Sequence, residues 1–105
     1  MKKIKTPWGY VTPFGVAEGF EGSILVILLG KEIKPHFHRK TFEYEVILAG
    51  RGLANGKKVI KGDFRSWRLN QIHGYINNGK KELKIFCITQ PPYNPSDDIL
   101  VENKT

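Results

Sequence analysis

Short runs of β-favouring residues, separated by turns that contain glycine, recur along almost the whole of this 105-residue chain. Apolar residues at helical spacing are hard to find, whereas the short runs have the length and composition of strands. The pattern predicts strands at Gly9–Val11, Ser23–Leu29, Ile33–His38, Glu43–Ala49, Gly52–Asn55, Lys57–Ile60, Phe64–Trp67, Gly74–Ile76 and Glu82–Ile88. So many short strands in a small chain predict an all-β fold, either a barrel or a two-sheet jelly roll, because closure leaves few exposed sheet edges.

Two further stretches of the sequence predict a tight turn and a segment outside the central sheet. The sequence Asn55-Gly56-Lys57 is typical of a tight hairpin turn, which needs residues that accept a positive φ. The last stretch, from Gln90 to Thr105, contains three of the six prolines. Because proline cannot donate to a sheet ladder, we expect this stretch to cross the outside of the domain rather than form a central strand.

The length and composition predict one globular domain, residues 1–105, in a reducing compartment. The longest apolar run, Ser23–Gly30, is too short to cross a bilayer, and the N-terminus lacks the apolar region of a signal peptide. The single cysteine, Cys87, excludes an internal disulfide and lies in an apolar stretch, so we expect a buried thiol. These features predict a cytoplasmic protein with no membrane partner.

The charge balance is basic, with 17 Lys and Arg against 10 Asp and Glu and a net charge of +7. The basic residues are scattered and form neither a run nor a helical stripe, so we expect no nucleic-acid partner. A diffuse positive field would suit a small anionic substrate. The lysine-rich composition with one Cys and one Met also suggests a thermophilic source.

The three histidines are distributed in a way that indicates a metal site. His36 and His38 are two apart on a predicted strand, so both imidazoles face the same side of it. Glu43 opens the next strand, and if the two strands pair as a hairpin it returns beside the histidines. His73 starts a later strand and would join them if that strand passes nearby. A single histidine in a strand is more often a surface or core residue, so the metal interpretation depends on the whole set.

The spacing of these residues resembles the first sequence motif of the cupin superfamily. In that motif a glycine is followed after five residues by His-x-His, after three or four more by Glu, and after a further six by Gly. Gly30, His36, His38, Glu43 and Gly50 stand at those positions here.

A second stretch is similar to the other cupin motif, in which glycine is followed after five residues by Pro-x-Gly, after two by His and after three by Asn. Gly62, His73 and Asn77 match that spacing, while Arg68 and Asn70 replace the proline and glycine. Asparagine suits the second replacement because it tolerates a left-handed conformation.

The two motifs span residues 30–50 and 62–77, and together they imply one cupin domain over residues 1–105. The implied fold is a small double-stranded β-helix, a jelly-roll barrel. The resemblance implies that a metal ion is held inside it by His36, His38, Glu43 and His73.

The chemistry of that ligand set agrees with the resemblance. Three imidazoles and one carboxylate suit one divalent transition metal ion, namely Mn, Fe, Co, Ni, Cu or Zn. Four protein ligands in an octahedral field leave two positions for water and substrate. Glu45 shares a strand face with Glu43 and is a candidate catalytic residue, because a carboxylate in an apolar barrel has a raised pKa and can move protons. The alternative is that water fills the open end of the barrel at this position and that Glu45 only forms an ion pair with an arginine.

The resemblance leaves the activity open, because cupins include isomerases, epimerases, dioxygenases, decarboxylases and sugar-binding modules. Thr6–Tyr10 and Pro95–Leu100 are similar to the edges of the cupin domain of type II mannose-6-phosphate isomerases. This similarity implies a metal-dependent enzyme, isomerase-like or epimerase-like, that acts on a small polar or anionic sugar-like substrate. A metal-dependent dioxygenase or decarboxylase is one alternative, and a non-catalytic ligand-binding cupin is another.

Other residues are candidates for substrate binding and assembly. Arg51, Arg65 and Arg68 could hold a phosphate or carboxylate, with ordinary surface charge as the alternative for each, and Asn77 is a further candidate. The outward strand face formed by Tyr44, Val46 and Leu48 would expose apolar surface in a monomer. We therefore expect a homodimer, with part of the N-terminal segment Met1–Tyr10 crossing to the partner.

Overall fold

The computed structural model describes residues 2–101, so Met1 and residues 102–105 of the predicted domain lie outside the described residues. Residues 2–101 form eleven strands and one short 3-10 helix. The strands are β1 (Ile4–Thr6), β2 (Gly9–Ala17), β3 (Phe20–Ile27), β4 (Glu32–Phe37), β5 (Phe42–Ala49), β6 (Arg51–Ala54), β7 (Lys57–Ile60), β8 (Phe64–Trp67), β9 (His73–Ile76), β10 (Leu83–Gln90) and β11 (Ile99–Leu100). The helix is Pro95–Asp97. The all-β double-stranded β-helix predicted from the sequence is confirmed.

The strands form two antiparallel sheets. The six-stranded sheet has the order β1-β2-β3-β10-β5-β8, and the five-stranded sheet has the order β11-β4-β9-β6-β7. The hairpin considered between β4 and β5 does not form, because the two strands belong to different sheets. β4 pairs instead with β9, where His36 lies opposite His73, and β5 pairs with β10 and β8.

Two turns follow the predicted backbone chemistry. Asn55 and Gly56 join β6 to β7 with φ values of 49° and 79°, as the hairpin requires. Asn70 has a φ of 64° and so adopts the left-handed conformation expected of the residue that replaces the motif glycine. Gly50 has a φ of 83°, and a Cβ at this position would collide with the carbonyl oxygen of Glu82.

Several strand boundaries differ from the prediction. β2 and β3 are longer than expected and form a hairpin around Glu18 and Gly19, both with positive φ. β1 was not predicted, and it pairs with β2 of the same chain at the edge of the larger sheet. The described part of the C-terminal stretch crosses the outside as expected, but it includes the short edge strand β11, which pairs with β4.

The space between the sheets is divided into an apolar end and a polar end. The inward face of β5 shows the division, because Glu43 and Glu45 point inward at one end and Ile47 at the other. The apolar end is a core of buried side chains from both sheets: Ile27, Ile47, Ala54, Val59, Trp67, Tyr75, Leu83 and Ile85. Within residues 2–101, no helix has both the length and the apolar character to cross a membrane.

Candidate metal centre

Four side chains predicted as metal ligands meet at the polar end of the barrel. His36 and His73 come from the neighbouring strands β4 and β9, His38 lies just beyond β4, and Glu43 reaches across from the other sheet. One ligand atom from each residue lies within 4.8 Å of the other three. The Glu43 Oε1 atom is 2.7 Å from His38 Nε2 and 2.8 Å from His73 Nε2. The structure therefore brings together a group of residues that could hold a metal ion.

The second nitrogen of each imidazole faces a backbone carbonyl. The Nδ1 atom of His36 lies 2.8 Å from the oxygen of Lys34, and that of His73 lies 2.9 Å from the oxygen of Gln71. The Nδ1 atom of His38 lies 2.9 Å from the oxygen of Asp97.

A carbonyl oxygen only accepts, so each Nδ1 must carry a proton, and the inward Nε2 is left to bind a metal. Such outer hydrogen bonds are what orient histidine ligands in metal sites. The donor set therefore fits a divalent transition metal ion.

Without a bound ion, electrostatics hold the same groups together as a charged cluster. Burial by itself would lower the pKa of His38, but the Glu43 carboxylate outweighs it and raises that pKa to about 9. The pKa of His73 is raised in the same way. Burial would raise the pKa of Glu43, but its hydrogen bonds to these two rings hold that pKa well below the usual range. A cation is thus favoured at this position, whether it is an imidazolium or a metal ion.

Glu45 lies beside the cluster and is fixed by two donors. Its Oε1 atom accepts hydrogen bonds of 2.6 Å from both the Trp67 Nε1 and the Tyr75 hydroxyl group. Burial, followed by the charge of Glu43, raises the pKa of Glu45 to about 7. The side chain is 2% exposed, and no ion pair between it and an arginine is found among the described residues. The wet mouth and arginine pairing considered for Glu45 are therefore absent here.

Cys87 is buried, as predicted, and it also contacts the site. Its Sγ atom lies 3.3 Å from Glu43 Oε2 and donates to that oxygen, while Glu43 Oε1 faces the imidazoles. Burial, then the charges of Glu45 and Glu43, raise the pKa of the Cys87 thiol well above its ordinary value. The thiol therefore stays protonated at neutral pH and acts as a donor to the carboxylate.

The cluster opens into a cavity of about 420 Å³ between the two sheets. Its walls are largely apolar and include Trp8, Leu25 and Ile33. Tyr93 and Asp98, from the C-terminal stretch, complete the wall near the mouth. The cavity is large enough for a small organic molecule that reaches the histidines.

The structure does not bring the other predicted substrate-binding residues to this cavity. Arg51 and Arg68 are exposed, and none of Arg51, Arg65, Arg68 and Asn77 is among its lining residues. Arg65 lies within β8, and its guanidinium group is 5.8 Å from the centroid of the Trp67 ring. Asn77 is fully buried and donates to the carbonyl oxygens of Ile27 and Lys81, which ties a turn to β3.

Sequence reasoning missed the residues that position the site. Tyr75 is two residues after His73, so the period of a strand was sufficient to place both on one face. Asp97 had no comparable signal. Its carboxylate accepts hydrogen bonds of 2.9 Å from the backbone nitrogens of Arg39 and Lys40, far away in sequence. Only the path of the C-terminal stretch over the barrel brings these groups together.

Comparison with known proteins supports the fold and the family. No protein-family profile matches the sequence. The uncharacterized protein MJ1618 of Methanocaldococcus jannaschii is 30% identical, in an alignment that covers 97% of this chain and 98% of that protein.

Solved structures share the fold at lower identity. An uncharacterized conserved protein with a double-stranded β-helix domain from Klebsiella pneumoniae is 19% identical with a TM-score of 0.69, over 75% of this chain and 69% of that one. A protein from Planctomyces limnophilus is 19% identical with a TM-score of 0.74, over 95% and 90% of the two chains.

The capsular polysaccharide assembling protein CapF from Staphylococcus aureus is 15% identical with a TM-score of 0.83, and this chain spans 32% of its length. None of these similarities is to a mannose-6-phosphate isomerase, so that part of the sequence resemblance stays a prediction. The chain belongs to the same family as the M. jannaschii protein MJ1618, and it has the double-stranded β-helix fold of the cupins.

Proposed function

We propose that this chain is a metal-dependent cupin enzyme that moves a proton on a small polar substrate, in the manner of an isomerase or epimerase. The observation that carries the proposal is the arrangement of the three imidazoles. Each Nδ1 atom faces a carbonyl oxygen at 2.8–2.9 Å, while the Nε2 atoms of His38 and His73 converge on Glu43 Oε1. Buried histidines that serve only packing have no need of this common orientation.

His36, His38, Glu43 and His73 would hold the ion, one ligand atom each. A divalent ion bound there would supply a Lewis acid for an oxygen atom of the substrate. The cavity above the cluster would contain the rest of the substrate and exclude most water, because its walls are largely apolar.

Glu45 would be the group that moves the proton. Its carboxylate lines the same cavity, and its two hydrogen bonds both end on Oε1. Trp67 and Tyr75 would thus orient the carboxylate, and neither of these bonds engages Oε2. In this role Glu45 Oε2 accepts a proton from a carbon of the substrate and returns it to a neighbouring position.

A non-catalytic, ligand-binding cupin is the second candidate, and one observation favours it. Two donors at 2.6 Å on a single oxygen stabilise the Glu45 anion and reduce its basicity. The same contacts would suit a carboxylate that only shapes the cavity.

A screen of metal-reconstituted protein tests the proposal. Protein purified without an affinity tag is stripped of metal, loaded with each divalent ion in turn and assayed with aldoses, ketoses and small hydroxyketones. Isomerisation or epimerisation that requires both the metal and Glu45 supports the enzyme. A protein that binds metal and ligand but turns over no compound in the screen would support the binding module.

We also propose that the protein is a homodimer that pairs through the outer face of β5. Tyr44 and Leu48 are each 39% exposed on this face, and Phe64 of the neighbouring strand is 69% exposed. Light scattering at micromolar concentration should give twice the chain mass, and Leu48→Glu should halve it. Ile76→Glu, at an exposed position on the other sheet, is the control. A monomeric mass for the unchanged chain would contradict the proposal.

A further inference from the structure

Acidic side chains line the cavity, although the chain as a whole is basic. Although the chain has a net charge of +7, no lysine or arginine of residues 2–101 lines this cavity. Its lining includes four carboxylates, which are those of Glu21, Glu43, Glu45 and Asp98. A divalent ion at the histidine cluster would not neutralise four carboxylates, or even three of them.

The two outer carboxylates are held at the mouth by one tyrosine. The backbone N–H of Tyr93 donates to Glu21 Oε1 at 2.8 Å, and the Tyr93 hydroxyl group donates to Asp98 Oδ2 at 2.8 Å. The Tyr93 ring centroid lies 6.4 Å from that of His38. Glu21 and Asp98 are therefore fixed close to the ligand cluster, and neither is paired with a lysine or arginine among the described residues.

We propose that Glu21 and Asp98 determine specificity by excluding anions, so that the cavity takes an uncharged or cationic molecule with an apolar part. A phosphate or carboxylate at the outer end of a ligand would meet like charges at the mouth and find no lysine or arginine on the wall. Low-dielectric walls concentrate the field of charges at the opening of a cleft, so Glu21 and Asp98 act on any ligand that enters. The apolar walls, including Trp8 and Leu25, match a ligand with a hydrocarbon portion.

This inference rests on the proposed function for its biological meaning, but the charge of the cavity can be measured without a bound metal. Trp8 lines the cavity, whereas Trp67, the other tryptophan, is only 5% exposed. Collisional quenching of Trp8 fluorescence by iodide and by caesium therefore reports whether anions or cations enter the cavity more readily. The fluorescence of a Trp8→Phe variant gives the contribution of Trp67 to the signal. Each quenching constant is measured at low ionic strength and divided by the constant for the same ion with a free tryptophan derivative.

A positive field and a negative field around Trp8 predict opposite orders of quenching by the two ions. A surface field set by the net charge of the chain would favour iodide. The acidic cavity should instead make caesium the better quencher by about threefold or more. The double variant Glu21→Gln and Asp98→Asn keeps both hydrogen bonds to Tyr93 and should raise the iodide constant by a similar factor. Glu18→Gln with Glu32→Gln removes the same charge from exposed positions outside this cavity and should change neither constant.

Iodide quenching that exceeds caesium quenching in the unchanged protein would overturn the proposal, as would a double variant that behaves like the control. The zinc-loaded protein should keep the preference for caesium, and a reversal there would also overturn it. A protein that shows the caesium preference but retains no metal would instead refute the proposed function and leave the charge assignment standing.

Discussion

The Nδ1 atom of His38 lies 2.9 Å from the carbonyl oxygen of Asp97, which is 59 residues further along the chain. The Asp97 side chain meanwhile accepts two backbone N–H groups from the loop that follows His38. The C-terminal stretch therefore orients a candidate ligand with its backbone and holds the adjacent loop with its carboxylate. A wall of the cavity and the candidate metal centre are thus directly connected through the C-terminal stretch.

We expect Asp97→Ala to lower both stability and metal affinity. The part-buried N–H groups of Arg39 and Lys40 would lose their charged acceptor, which costs about 1–3 kcal/mol of unfolding free energy. Looser support of His38 should weaken metal binding by about 10–100-fold. Denaturant unfolding and competition with a chelating dye measure the two effects.

Asp63→Ala is the matched control for this change. The Asp63 carboxylate also accepts a backbone N–H, that of Ile60 at 2.8 Å, but in an exposed turn. It should affect stability slightly and leave metal affinity unchanged. Equal metal affinity in the Asp97 variant and the parent would show that the C-terminal stretch does not support the site.

The substitution Glu45→Gln should lower turnover without changing the fold or the metal content. The amide keeps an oxygen that can accept the hydrogen bonds of Trp67 and Tyr75, so folding and metal content should be unchanged. Once a substrate is known, turnover should fall about a hundredfold or more, as expected for loss of a general base. A rate within about threefold of the parent would remove Glu45 from the mechanism and favour the binding module or a dioxygenase.

Metal affinity should fall as the pH falls, because imidazole nitrogens must lose their protons before they bind a metal. The pKa of His38 is raised to about 9, since the effect of Glu43 exceeds that of burial. The folded, metal-free protein therefore carries protons on this cluster at neutral pH. Metal uptake at pH 7 should release about one or two protons per ion, measurable by calorimetry in buffers of different ionisation enthalpy. Binding heats that do not depend on the buffer would contradict this picture.

The sequence alone was sufficient to predict the fold and the set of residues that meet in the histidine cluster. Period-two spacing placed His36 and His38 together, and the motif spacing added Glu43 and His73. The strand partners could not be read in the same way, because the order of strands along the chain does not say which sheet each one joins. A hairpin was considered as the way to bring Glu43 beside the histidines, yet Glu43 reaches them from the opposite sheet.

The residues that line the cavity were the least predictable part. The arginines were chosen for their charge alone, and charge says nothing about which side of a closed sheet a residue faces. Tyr93 and Asp98 reach the cavity only because a proline-rich stretch without central strands folds back over the barrel. Such placement depends on the path of the whole chain, for which local spacing carries no signal.

The metal content of untagged protein tests the central claim most directly. After reconstitution and removal of free ions, elemental analysis should find about one divalent ion per chain in the parent and in Glu45→Gln. The double variant His36→Ala and His38→Ala should retain none, with circular dichroism showing that its sheets are still formed. Stoichiometric metal in a folded double variant, or no retained metal in the parent, would contradict the assignment of this cluster as a metal centre.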